Sequence, residues 1–319
     1  MGSYRVESDQ KAGLDSLICE TAGSRVLINR FGCEVIGYRV TDPASGKEIP
    51  FFYRDWEAQP PADGWKNHST ILFPIVGGLK DKRSKLGGKV VSTKGNHGFA
   101  RHSAFELTGT VESGDRAAAR YRLLPNEEIR SYYPFDFVLE IEFALEGNSL
   151  SATFSITNPG SEPAYYCFGW HPGFAAPLVP GVGKKADCRL VFPYGTIRKY
   201  HNNEHCRLTG QTSLVEVGGP LAWTEEELEA TMMLGIDDPA MRSVTLEDTA
   251  GNISLRVDFP QFPHLGFWSE PGYDFICIEP WQGMDDHEDQ EPFDEKVGVV
   301  KLEPGAVDRR TIKLTPFVE

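Results

Sequence analysis

Positive charge is in short supply. Lys and Arg number 32 against 46 Asp and Glu, leaving a formal net charge of −14 with His neutral. A nucleic-acid binder draws on a basic face to displace counterions from phosphates, so no nucleic-acid partner is expected. Long apolar runs are missing too. None approaches the ~18 residues that a membrane helix needs, so no membrane partner is expected. The opening Met1 to Ser8 stretch has no apolar centre of a secretory signal. The six cysteines, Cys19, Cys33, Cys167, Cys188, Cys206 and Cys277, contain no C-x-x-C pair. That spacing signals neither a zinc knuckle nor a dense disulfide framework. The expectation is reduced, mostly buried thiols and a cytoplasmic protein. Long amphipathic helices are also lacking. Only Trp223–Ala230 reads as a helix, with Thr224 as N-cap and acids in the first turn.

What the chain does hold is turn residues and alternation. Its 32 Gly and 22 Pro favour many turns and hence many strands. Leu139, Ile141, Phe143 and Leu145 alternate with acids up to Gly147-Asn148. Leu150, Ala152, Phe154 and Ile156 then alternate with Ser and Thr. Period-2 patterning around a tight turn predicts a hairpin over 138–157. A second is predicted over 243–259, around Asp248 to Asn252. Strand-like runs fall at 24–30, 33–40, 103–113, 117–124, 164–170, 188–193, 274–279, 297–302 and 310–314. Short strands without intervening helices predict an all-β antiparallel sandwich, not a βαβ sheet. No repeat or linker divides the chain, so one domain over 1–319 is expected. The acidic stretch Asp285–Glu295 lacks EF-hand spacing and reads as a solvated loop.

Three segments set titratable residues among aromatics and prolines: Asn96–Arg101, Phe168–Phe174 and Ile276–Gly283. His171 and Glu279 each directly precede a proline, which pushes them into extended geometry. Each also closes an apolar strand-like run. On a flat strand, Phe275, Cys277 and Glu279 share one face, as do Tyr165, Cys167, Gly169 and His171. The expectation is two strands that each deliver one titratable group to the rim of a core, with aromatics forming the floor of a small-ligand pocket. Spacing alone does not bring the segments together; a lone His among aromatics is more often packed, and a Glu at a strand end more often solvated.

These segments resemble the aldose 1-epimerases, or galactose mutarotases, in particular their bacterial epimerase-related branch. The resemblance rests on Phe73–Asp81, His97–Arg101, His171–Phe174, Phe262–Trp268, Ile278–Gly283 and Phe293–Gly305, in that order over about residues 24–315. It implies one large galactose mutarotase-like β-sandwich with the sugar in a cleft across a sheet. It implies interconversion of α and β anomers of an aldohexose, without metal or organic cofactor, by a monomer or homodimer. On matching positions Glu279 is the general base and His171 the general acid. His97, Arg101 and Trp281 contact the substrate. Many relatives carry Arg after the Pro-x-Val-Gly segment where Gly78 stands here, which leaves Lys80 or Arg101 to supply the cation. The resemblance places an Asp that binds sugar hydroxyls before the 243–247 strand; Asp237 is the candidate, with Asp238 beside it, although the alignment equally puts Met232 there and Asp237-Asp238-Pro239 also reads as a turn.

Three other readings compete. A hexose 6-phosphate epimerase would use the basic run of Lys80, Lys82, Arg83 and Lys85. A carbohydrate-binding protein without turnover could use the same scaffold. His201-Asn-Asn-Glu-His205 matches the H-x-x-E-H pattern of a zinc peptidase, which demands a helix that Asn202 and Asn203 disfavour.

Overall fold

The computed structural model describes residues 3–54, 56, 64–289 and 292–318. Its largest element is a 14-stranded sheet. Along it run Ser69–Leu72, Phe168–Ala175, Phe275–Gln282, His264–Trp268, Met232–Gly235, Cys188–Asn202, Ser243–Asp248, Ile253–Asp258, Val307–Val318, Ser149–Thr157, Val138–Glu146, Ala117–Leu123 and Glu106–Glu112, with Leu208–Leu221 paired to Cys188–Asn202. A five-stranded meander spans Tyr4–Asp9 to Glu48–Pro50. It is tied to the far end of the long sheet where Tyr121 donates to Asp15 Oδ2 (3.0 Å) and Ser24 to the Gly147 carbonyl (2.6 Å). Paired strands are antiparallel among the described residues. Aromatic and aliphatic side chains from the two sheets form the large buried core.

Both predicted hairpins form. Glu146 opposes Ser149 around Gly147-Asn148, and Asp248 opposes Ile253. Thr224 caps a helix over Glu225–Glu229 and shares a capping box with Glu227. A second helix, Glu127–Tyr132, carries too few residues for a periodic signal; Asn126 caps it by accepting from the Ile129 N–H at 2.8 Å.

Three expectations need correction. The 164–170 run is two strands, Ala164–Tyr166 and Phe168–Ala175, because Cys167 donates its N–H to Pro74 instead. The 297–302 run is strand only over Val300–Leu302. His171 and Glu279 do not close their strands: Phe168–Ala175 and Phe275–Gln282 each continue through the following proline.

Candidate active site

The prolines matter because the two strands are neighbours. Their register runs from Gly169 opposite Trp281 to Gly173 opposite Cys277. Counting inward, His171 stands opposite Glu279, 108 residues away in sequence. Pro172 and Pro280 remove two backbone donors between those pairs, so the ladder is interrupted where the titratable side chains sit. His171 Nε2 lies 3.2 Å from Glu279 Oε1. Their burial is deep, with His171 6% and Glu279 1% exposed.

Glycines shape the surroundings. A Cβ at Gly169 or Gly266 would strike the Trp281 indole, at 2.8 and 2.5 Å. These two glycines on flanking strands make the slot in which Trp281 lies. A Cβ at Gly173 would come within 2.4 Å of Trp65. Trp65 therefore stacks on the His171 imidazole, centroids 5.2 Å apart and 28° between planes. Trp268 meets the same ring edge-on at 5.8 Å.

The His97–Arg101 segment arrives from the other side. Gly98 (φ +71°) lets the chain cross so close to Phe73 that a Cβ would lie 2.3 Å from its carbonyl oxygen. His97 Nδ1 accepts the Gly77 N–H at 3.1 Å, leaving Nε2 as the protonated nitrogen of the neutral ring. The His97 and His171 rings meet edge to face at 5.4 Å. Arg101 has no ion pair or hydrogen bond among the described residues, and its Nε is buried without a partner.

Burial governs the protonation of these groups. It pushes Glu279 well above the usual carboxylate range, with Asp285 adding to the rise and Trp281 and Arg101 opposing it. Burial, then the nearby His97 and Arg101, hold His171 well below the usual imidazole range. His97 falls to about 3 for the same first reason, with Arg101 second. Glu279 and His171 thus both favour their neutral forms and face each other across 3.2 Å, so a single proton serves the pair. Both Glu279 oxygens, His171 Nδ1 and Trp281 Nε1 lack hydrogen-bond partners. A buried polar set left open in this way fits a ligand rich in hydroxyls. His171, Cys277 and Glu279 also present ligand atoms within 4.8 Å of one another, a set that could hold a divalent ion such as zinc.

A cavity of about 330 Å³ brings Glu279, His171, His97, Arg101 and Trp281 together, with Trp65, Trp268, Asn96 and Asp285. The volume lies in the range of small-ligand pockets. Two candidates from the sequence lie outside it. Asp237 is 68% exposed at its side chain and binds Arg198 at 2.9 Å. Lys80 sends its Nζ to the Glu288 carbonyl at 2.6 Å. Nor do Lys82, Arg83 and Lys85 line the cavity. The place above Gly78 is taken first by Asn96, whose Oδ1 would lie 2.6 Å from a Cβ there, and then by Arg207 Nη1 at 3.1 Å, which donates to the Gly78 carbonyl at 2.8 Å. The H-x-x-E-H segment leaves the end of a strand for a turn, with His201 beside Ser213 (3.1 Å), so its spacing does not build a helical metal face. Sequence reasoning missed Trp65, Trp268 and Asp285. Trp268 closes the Phe262–Trp268 segment, whereas Asp285 opens the acidic run that reads as a solvated loop. In fact Asp285 and Asp286 are both buried, and Asp286 pairs with Lys296.

The fold is that of the galactose mutarotase-like proteins. A solved structure described as a galactose mutarotase related enzyme from Lactobacillus acidophilus superposes with a TM-score of 0.81 at 25% identity, covering 98% of this chain and 97% of that one. Galactose 1-epimerase from Lactobacillus acidophilus superposes at 0.70 with 12% identity, covering 99% and 98%. The plasmid-encoded protein LacX of Lactococcus lactis is 28% identical over 82% of this chain and 88% of its own. The aldose 1-epimerase family profile matches residues 16–213, and the chain belongs to that family.

Proposed function

We propose that the protein is an aldose 1-epimerase that interconverts the α and β anomers of an aldohexose. The observation that carries this reading is the contact of His171 with Glu279 inside a cavity sized for a small ligand. Ring opening requires a base at the anomeric hydroxyl and an acid at the ring oxygen. The pair's single proton first passes from Glu279 to His171 across their contact. Glu279, now the carboxylate, takes the O1 proton while His171, now the imidazolium, protonates O5, and the C1–O5 bond breaks. The aldehyde turns about C1–C2. O5 then adds to its other face, returning its proton to His171 while Glu279 protonates O1. The cycle leaves both groups as they began once the proton passes back to Glu279. It requires two groups that can exchange a proton directly, and their contact at 3.2 Å provides for that.

His97, neutral and with Nε2–H free to donate, and the unpaired Arg101 serve as donors to sugar oxygens. Trp65 and Trp268 supply apolar surface for a ring face. The basic run at 80–85 lies away from the cavity, which favours an unphosphorylated sugar over a hexose 6-phosphate. The test is the approach of fresh α-D-galactose and α-D-glucose to anomeric equilibrium, followed by polarimetry. Acceleration proportional to protein concentration is expected. Tight sugar binding with no acceleration would instead mean a binding protein on the same scaffold.

A further inference from the structure

We infer that Asp285 is the cavity's acceptor for a substrate hydroxyl remote from the anomeric centre, an inference that rests on the sugar-epimerase reading above. Asp285 belongs to the acidic run that follows the Glu279 strand, yet it turns inward, 7% exposed, and lines the same cavity as Glu279 and His171. Gly77 admits it. A Cβ on Gly77 would sit 2.2 Å from the Asp285 carboxylate, so no other residue there leaves room. The Gly78 N–H donates to Oδ1 at 2.7 Å, and Arg207 Nη1 stands 3.8 Å from the same oxygen.

Oδ2 receives no hydrogen bond among the described residues. Its neighbour Asp286 behaves differently. One Asp286 oxygen accepts the Lys80 N–H and the other pairs with Lys296. Asp286 is thus used up in holding the loop, whereas Asp285 is held by one oxygen and offers the other. A carboxylate oxygen that receives no donor from the chain, on a residue that lines the cavity, is placed to accept one from a ligand. Sugar hydroxyls are such donors. The C1–O5 edge belongs to Glu279 and His171, so the hydroxyl that reaches Asp285 is one further round the ring. Burial raises the Asp285 carboxyl to about 6, against the Gly78 N–H, Lys296 and Arg207, so it is charged at neutral pH. This assigns to Asp285, not Asp237, the reading of hydroxyl configuration.

The test compares the wild type with Asp285→Asn and Asp285→Ser by calorimetric titration of D-galactose, D-glucose and their monodeoxy derivatives, with anomerisation rates and melting curves alongside. Asn keeps an acceptor for the Gly78 N–H. The expected result is a ten- to hundredfold weaker affinity for the preferred aldohexose, roughly the worth of a hydrogen bond to a charged group, a larger change than that in kcat, which follows from the shift of Glu279 when the neighbouring charge is removed. One monodeoxy sugar should bind wild type and variants alike, since it lacks the hydroxyl that Asp285 reads. Affinity within twofold of wild type overturns the inference. So does an equal loss across the whole deoxy series, which marks Asp285 as a brace for the loop. If the wild type binds these sugars but accelerates no anomerisation, the epimerase reading fails while the affinities still decide Asp285. If it binds none of them, both fail.

Discussion

His171 Nε2 faces Glu279 Oε1 at 3.2 Å across two adjacent antiparallel strands, each side chain standing immediately before a proline. The prolines thin the backbone ladder at that point, and burial drives both groups towards neutrality. Two buried titratable side chains are thereby set facing each other within the sheet.

Glu279→Gln is expected to lower the anomerisation rate by about 10²–10⁴, the usual worth of a general base. Sugar affinity should stay within about tenfold, because the amide keeps the shape and one acceptor. Polarimetry and calorimetry on the same preparation check it; wild-type turnover by the Gln variant removes Glu279 from the mechanism.

His171→Asn should cost a similar factor, and the double variant should be little worse than either single one. Acid and base complete one cycle, so losing one disables the unit. Losses that add fully in log rate would show that the two residues act independently.

Arg101 is a buried guanidinium with no ion pair among the described residues. Burial holds its pKa below the usual arginine value, with Glu34 and Glu279 opposing. Arg101→Met should raise the unfolding free energy, by an amount on the order of 1 kcal/mol, while weakening sugar affinity. Arg101→Lys should also weaken affinity, since the planar fork is lost although the charge remains. Thermal melts and titrations separate the two quantities. A large drop in stability with affinity intact would make Arg101 a structural brace.

Acid stability should depend on His264. Burial holds its folded pKa at about 4, below an unfolded value of about 6.5. Between these values the unfolded chain binds the proton and the folded chain does not. Stability from this group is therefore present above about pH 6.5 and lost as pH falls towards 4. The full effect is on the order of 3 kcal/mol. His264→Leu should narrow the difference in unfolding free energy between pH 7 and pH 4.5, measured by urea titration. An unchanged difference contradicts this.

Gly173→Ala should impair sugar binding more than folding. Its Cβ would press on Trp65, the ring stacked over His171, at 2.4 Å. A loss of about tenfold in affinity with a modest shift in melting temperature is expected. Unaltered affinity would mean that Trp65 moves aside without cost.

Much of this was legible locally. The 138–157 hairpin rests on strict alternation around Gly147-Asn148, and the Thr224 cap on its capping box with Glu227. Both are short-range signals, written within about twenty residues of chain. The six-residue helix behind Asn126 was missed because so short a segment shows no period. The extended geometry of His171 and Glu279 was readable from the prolines that follow them.

Their register was not readable, because it is a property of strands 108 residues apart in the sequence that pair only once the sheet is assembled. Asp237 and Asp285 make the same point in opposite directions. Both stand in acidic surroundings with no local mark of burial. Packing leaves Asp237 exposed beside Arg198 and folds Asp285 over the Gly77-Gly78 backbone into the cavity. Local sequence determined the all-β character and which groups sit on extended strands. Tertiary structure decided which of them meet, because burial and partner distance are set by long-range pairing that no local pattern encodes.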